Sequence, residues 1–303
     1  MKPSTVLDYA IFPAAVISAQ VLCWWLLRAG VPNFWVTPIV VAPCVLLAWL
    51  GERVRPERPT LARDYTLVRE VCHFVFSFEL GYGTALGALW LLERALHLPS
   101  AWPTHWPIAL QLLFAVVLYE GTSYWQHRLF HRRARLWPFH ALHHSGARLD
   151  LIRGARFHAV DFATVAFVAF LPLMLLGVAD DVLTMLAVLV SVLGILHHGN
   201  VRQRTPAWLG YLWCTPAVHR RHHSAIWHES DANFGNTVMI FDVLFGTYAP
   251  PHPVGPEAMG IDGDELPAQG FWQQALGPFR QRRASPAADR RAPRPRPAPI
   301  SSR

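Results

Sequence analysis

Long apolar runs, separated by short stretches rich in arginine, dominate the chain. A helix needs about 20 mostly apolar residues to cross a bilayer. Six runs approach that length, over residues 9–27, 34–50, 71–92, 106–125, 160–178 and 182–196. The third holds His73 and Glu79. Only Ala179, Asp180 and Asp181 separate the last two, which predicts a tight helical hairpin. The pattern predicts an all-α polytopic membrane bundle of about four to six spans. Four full spans with a shallow hairpin satisfy the same parity as six. The first run lacks a basic leader beyond Lys2 and a small-residue cleavage site, so it reads as a span and not a signal peptide.

Loop charge orients the bundle. Arg53, Arg55, Arg58, Arg63 and Arg69 follow the second run, and Arg128, Arg132, Arg133, Arg135, Arg148, Arg153 and Arg156 follow the fourth. Arg202 and Arg204 follow the sixth, while the alternate loops carry Arg94 alone. The positive-inside rule therefore places both termini in the cytoplasm. Beyond residue 196 the chain turns polar, which predicts a cytoplasmic helical cap. From 282 onward it is Ala, Pro, Arg and Ser, a composition that cannot bury enough apolar surface to fold. The expected organisation is membrane helices over 1–105, a catalytic region over 106–250, a cytoplasmic segment over 251–281 and a disordered basic tail over 282–303.

Composition supports a membrane class. Of 303 residues, 52% are hydrophobic and 16% charged, well below the quarter usual in soluble domains. The four cysteines, Cys23, Cys44, Cys72 and Cys214, form no CxxC pair, which excludes a disulfide scaffold. The net charge of +7 marks loops facing anionic lipid in so apolar a chain, and no nucleic-acid partner is expected.

The 16 histidines are clustered. His127 and His131 are four apart at the end of the fourth span, so a helix projects both from one face. His140, His143 and His144 form an HxxHH box, and His219, His222 and His223 form another. His158 and the pair His197–His198 stand between them. Adjacent helical residues point about 100° apart, so His197 and His198 are not both expected as ligands. All clusters fall on the side assigned to the cytoplasm. Eight to ten imidazoles exceed the four ligands of a structural zinc, so two metals is the natural count. Imidazole suits iron, zinc and copper, and open positions favour iron oxygen chemistry. His73 reads as a packed residue; His97, His105, His228 and His252 read as surface positions.

These residues resemble the fatty acid hydroxylase/sterol desaturase superfamily of membrane oxidases. The resemblance runs from about Tyr119 to Tyr248, through YWQHRLFH, LWPFHALHHS, RFHAVD, HHGNVR, TPAVHRRHHS, DANFGN and FDVLFGTY. Three positions depart from the pattern: Ala159 and Asp161 follow Arg-x-His where Pro and Glu are usual, and Phe241 precedes Asp242 where Trp is usual. The resemblance implies a di-iron oxidase that uses O2 and two electrons to hydroxylate or desaturate a lipid C–H bond. It implies His127, His131, His140, His143, His144, His158, His198, His219, His222 and His223 as ligands of two iron ions. Each ligand is expected to donate its second ring N–H to an outer acceptor, with Asp161, Asn200, Asp231, Asn233 and Asp242 as candidates. The substrate expected is a membrane lipid: sterol, fatty acyl or related. No GxGxxG fingerprint and no iron–sulfur cysteine set is present, so a separate reductase, ferredoxin or cytochrome is expected to supply electrons at the basic cytoplasmic surface. His252-Pro-Val-Gly255 reads as a Pro-rich turn. The Arg/Ala/Pro-rich composition suggests a bacterial inner membrane. The competing reading is a metal transporter or sensor. Transporters place ligands near the bilayer midplane, whereas these gather at span ends. A catalytically dead scaffold is expected to lose a box residue, and no box is broken.

Overall fold

The computed structural model describes residues 5–58, 66–251, 258–261, 266 and 269–280. The His252–Gly255 turn and the tail over 282–303 lie outside the described residues. Helices α1 (Val6–Arg28) and α2 (Asn33–Val54) pair first. Then α3 (Leu67–Val75) passes through a π-helical segment (Phe76–Tyr82) into α4 (Gly83–Leu96). The next are α5 (Ile108–Arg132), α6 (Trp137–His144), α7 (Leu151–Gly154), α8 (Ala159–Leu175) and α9 (Asp180–His198). A 3-10 turn (Ala207–Tyr211) leads to α10 (Pro216–His222), α11 (Trp227–Ser230), α12 (Ile240–Leu244) and α13 (Phe271–Arg280). Among the described residues there is no strand, only three isolated bridges.

Among the described residues, five helical stretches are long and apolar enough to cross a membrane: α1, α2, α3 through α4, α5 and α9. The fifth run is shorter than expected. Helix α8 has 17 residues, about 25 Å, less than a hydrocarbon core. The tight α8–α9 hairpin does not form. Helix α8 lies against the π-helical segment, α4 and α5, whereas α9 lies against α1, α2 and α5. The physical reason is α5. Its buried side chains, from Gln111 to His131, face several directions and pack both partners. The apolar core draws on α1, α2, α4, α5, α8 and α9. Leu46, Leu47, Trp90 and Leu91 point outward, as lipid-facing positions should.

The π-helical segment sets where α8 begins. A Cβ on Gly81 would meet the Ala159 carbonyl oxygen at 2.7 Å and the Ala163 nitrogen at 3.3 Å. Only glycine permits that approach, and Ser77 Oγ donates to the Phe157 carbonyl beside it. The start of α8 carries His158 and Asp161, so this contact reaches the site described below. Gly81→Val is expected to overpack the contact and cost about 1–3 kcal/mol, read as a lower thermal midpoint in detergent.

Candidate metal centre

Nine buried histidines gather at one end of the bundle in two groups. His127, His131, His140, His144 and His222 form the first, and His143, His198, His219 and His223 the second. Within each group, one nitrogen per ring lies within 4.8 Å of the others. The two HxxHH boxes serve both groups. Along α6, His140 and His144 are a helical turn apart and enter the first group, while His143 faces the second. Along α10, His219 and His223 enter the second and His222 the first. The His144 and His223 rings stack between the groups, 4.4 Å apart at 20°.

Outer acceptors fix the ring orientations. His127 Nδ1 donates to the Phe234 carbonyl at 2.8 Å and His222 Nδ1 to the Ala232 carbonyl at 2.8 Å. His198 Nδ1 donates to the Gly194 carbonyl at 2.8 Å and His143 Nδ1 to the Arg156 carbonyl at 3.4 Å. His140 Nδ1 lies 2.8 Å from Asp161 Oδ2, and Gln126 Nε2 donates to the same carboxylate at 3.3 Å. These acceptors cannot donate, so each Nδ1 carries the proton and each Nε2 keeps a lone pair. Those lone pairs face one another: His127 and His140 Nε2 are 3.0 Å apart, and His143 and His198 Nε2 3.2 Å apart. Similar approaches link His131 to His144 at 3.2 Å and His219 to both His198 at 3.0 Å and His223 at 3.1 Å.

Protonation cannot relieve this crowding. Burial, aided by neighbouring imidazoles, holds His143, His144, His219 and His223 far below the usual histidine range. Burial likewise lowers His222 to about 3. Among the described residues, His222 Nε2 has no hydrogen-bond partner. Neutral rings with converging lone pairs are the donor set a metal cation requires, so the residues fit one ion per group.

His158, expected among the ligands, stands apart from both groups. It is the residue before α8, and its Nδ1 accepts the Val160 N–H at 3.1 Å as a helix cap. Its Nε2 donates to the Ala275 carbonyl of α13 at 2.9 Å. Both nitrogens are thus occupied in joining α8 to α13. His197 turns away from the second group: Nε2 donates to the Cys214 carbonyl at 2.5 Å, and the ring stacks on His219. His73 is buried against Phe271 and paired with Gln274, as its packed reading implied.

Of the five outer acceptors expected, Asp161 bonds a ligand ring, that of His140. Asn200 binds the backbone of Arg58, Asp231 pairs with Arg132 at 3.6 Å, and Asn233 binds the Val218 and Ala249 backbone. Asp242 acts one step further out. It accepts the Phe234 and Gly235 N–H groups at 2.9 and 2.7 Å, fixing the loop whose carbonyls hold His127 and His222. Glu120, absent from the sequence reading, clamps the other side of that loop. It accepts from the N–H groups of Asn236, Thr237 and Val238 at 2.9, 2.5 and 3.3 Å, and from the Thr237 hydroxyl. A carboxylate inside an apolar span was the available signal. Gly154 is a second missed position, since a Cβ there would meet His198 Cβ at 2.2 Å.

The model of the fatty acid hydroxylase family matches residues 112–247. Ornithine lipid hydroxylase OlsE from Rhizobium tropici is 31% identical over 279 residues, covering 89% of this chain and 83% of that protein. Alkylglycerol monooxygenases from Danio rerio and Caenorhabditis elegans are 28% and 24% identical over 55% and 58% of this chain. The matches cover only 37% and 33% of those longer proteins. No solved structure matches.

Glu120→Ala is expected to leave buried loop donors without acceptors, at about 1–3 kcal/mol. The thermal midpoint in detergent should fall, and more than in Glu120→Gln, which keeps one acceptor oxygen. Gly154→Val is expected to displace His198 and lower metal content, measured by elemental analysis.

Proposed function

The chain belongs to the fatty acid hydroxylase/sterol desaturase superfamily, and from that premise we propose that it is an integral-membrane di-iron enzyme hydroxylating a polar membrane lipid. His127, His131, His140, His144 and His222 would hold one iron, and His143, His198, His219 and His223 the other. The observation that carries this reading is the set of converging Nε2 lone pairs in a water-poor interior. Bound iron would supply the activation of O2 and the attack on the C–H bond.

The protein's part is to hold, orient and shield. Outer acceptors fix ring tautomer and direction, which strengthens a metal site. Phe157 stacks on His143 at 4.0 Å and 15°, and Phe234 packs edge-on to His127, His131 and His222. These rings exclude water from the ligand nitrogens. The groups sit where α5 and α9 end, so a lipid lying among the helices would present a carbon near its polar end. Hydroxylation balances as R–H + O2 + two electrons + two protons → R–OH + H2O. The electrons come from a separate donor, because the sequence carries no flavin, nicotinamide or iron–sulfur motif.

An ornithine-containing lipid is the first substrate to test, because the OlsE match spans 83% of that enzyme. Alkylglycerol ethers come second, since those relatives align over only about a third of their length. The positive-inside pattern supports a cytoplasmic metal face.

Purified protein is expected to bind two iron ions per chain. His140→Ala and His219→Ala should each lose about one, while His158→Ala should keep both and unfold at lower temperature. Zinc alone, or metal retained in both ligand variants, would overturn the di-iron assignment. Supplied with reductant and O2, the iron-loaded protein should add one oxygen atom to ornithine lipid, read by mass spectrometry. No added oxygen in ornithine lipid, ether lipid or a total membrane lipid extract would overturn the hydroxylase reading.

A further inference from the structure

Two indoles lead outward from the first histidine group. Trp137 opens α6, and its buried ring lies 5.0 Å from His131 and 5.5 Å from His144, centroid to centroid. Trp227 opens α11, 5.5 Å from Trp137 and 6.1 Å from His131, with its plane 27° from that imidazole. Trp227 is only partly buried. A single ring therefore reaches from the protein surface to a metal-facing histidine.

The surface around Trp227 has a distinct composition. Ile226 and His228 flank it and are exposed. Arg132, which ends α5, and Arg133 and Arg135, on the turn that follows it, are exposed as well. The ion pair of Arg132 with Asp231, 3.6 Å, fastens that turn to α11. The two nearby carboxylates are already engaged, Asp231 by Arg132 and buried Glu229 by the Ser224 hydroxyl. The result is an apolar centre with a basic rim, the anatomy of a protein-docking surface. A crevice also lies over His143, His144 and His223. It has no room for a water molecule and is walled by backbone at Gly146 and Gly260.

We propose that this surface docks a small acidic one-electron carrier protein of the ferredoxin class, and that Trp227 and Trp137 form the contact through which its electrons reach the histidine groups. The inference rests on the di-iron reading above. Two visits supply the two electrons of one turnover, each oxidising one carrier by one electron and reducing the metal centre by one. The two protons come from solvent. The indoles change no oxidation state. They replace a gap of solvent with packed rings, which matters because electron transfer weakens steeply with distance. The basic rim supplies charge complementarity, which acts mainly on the rate of encounter.

The test mixes iron-loaded, oxidised protein anaerobically with a pre-reduced acidic [2Fe–2S] ferredoxin and follows ferredoxin reoxidation by absorbance. Dithionite, a small reductant that needs no docking surface, is the parallel measurement. Reoxidation should slow about tenfold or more from low to high salt. Arg133→Glu/Arg135→Glu should slow it about tenfold at low salt, with dithionite reduction unchanged. Trp227→Leu, with iron content measured on the same sample, should lower the limiting rate at saturating ferredoxin. A rate indifferent to salt and to both substitutions overturns the proposal, as does no reoxidation by a protein that dithionite reduces. Failure of dithionite as well removes the di-iron reading and this inference with it.

Discussion

A neutral imidazole has one donor and one acceptor, and the architecture follows from spending the donor outward. Once Nδ1 is committed to Phe234, Ala232, Arg156, Gly194 or Asp161, the Nε2 lone pair is left facing the interior. Two such lone pairs 3.0 Å apart repel, and buried neutral rings supply no proton between them. A shared cation would turn that repulsion into ligation. The site is therefore encoded as much in the acceptors behind the rings as in the rings themselves.

That requirement explains why the centre sits at span ends. Inside a helix the carbonyls are already taken by the i+4 amides, so free acceptors such as those of Phe234, Ala232 and Arg156 occur outside the regular helices, and the Gly194 carbonyl is reached from one turn further along α9. Irregular backbone is tolerated at membrane depth only when protein covers it. The loops are accordingly held by carboxylates on the helices: buried Glu120 and Asp242 on residues 234–238, and half-buried Glu52 on the amides of Leu151 and Asn200. Asp8, paired with Arg55 at 2.8 Å, ties α1 to the end of α2. Glu120 and Glu52 connect apolar spans to polar loops, Asp242 braces the same loop from α12, and together they hold the acceptors in place.

Much of this was legible in the sequence, and what was not has physical causes. Span positions follow from apolar length, and the three histidine clusters follow from helical spacing. The short α8 and its separation from α9 were hidden because apolar length does not say which neighbour a helix prefers, and α5 packs both. His158 looked like a ligand by its place between boxes, yet its partner is a backbone carbonyl on α13, more than a hundred residues away. Most ring acceptors are backbone carbonyls, which carry no side-chain signature. Asp161 was visible because it is a side chain. Glu120, seven residues before His127, shares its helical face and was visible in principle.

The two HxxHH boxes show how spacing becomes a two-site device. Residues i and i+4 on a helix stay within about 40° of one face, while i+3 falls on its other side. His140 and His144 therefore share one group and His143 turns to the other; His219 and His223 share one and His222 turns away. Each box gives two rings to one group and one to its neighbour, in opposite senses, with His144 and His223 stacked at the seam. By contrast the His127–His131 spacing, with no intervening third ring, can serve only one group, and it does. Neither α6 nor α10 can move without disturbing both groups. Helical geometry thus divides the rings of each box between two groups and does not crowd them into one.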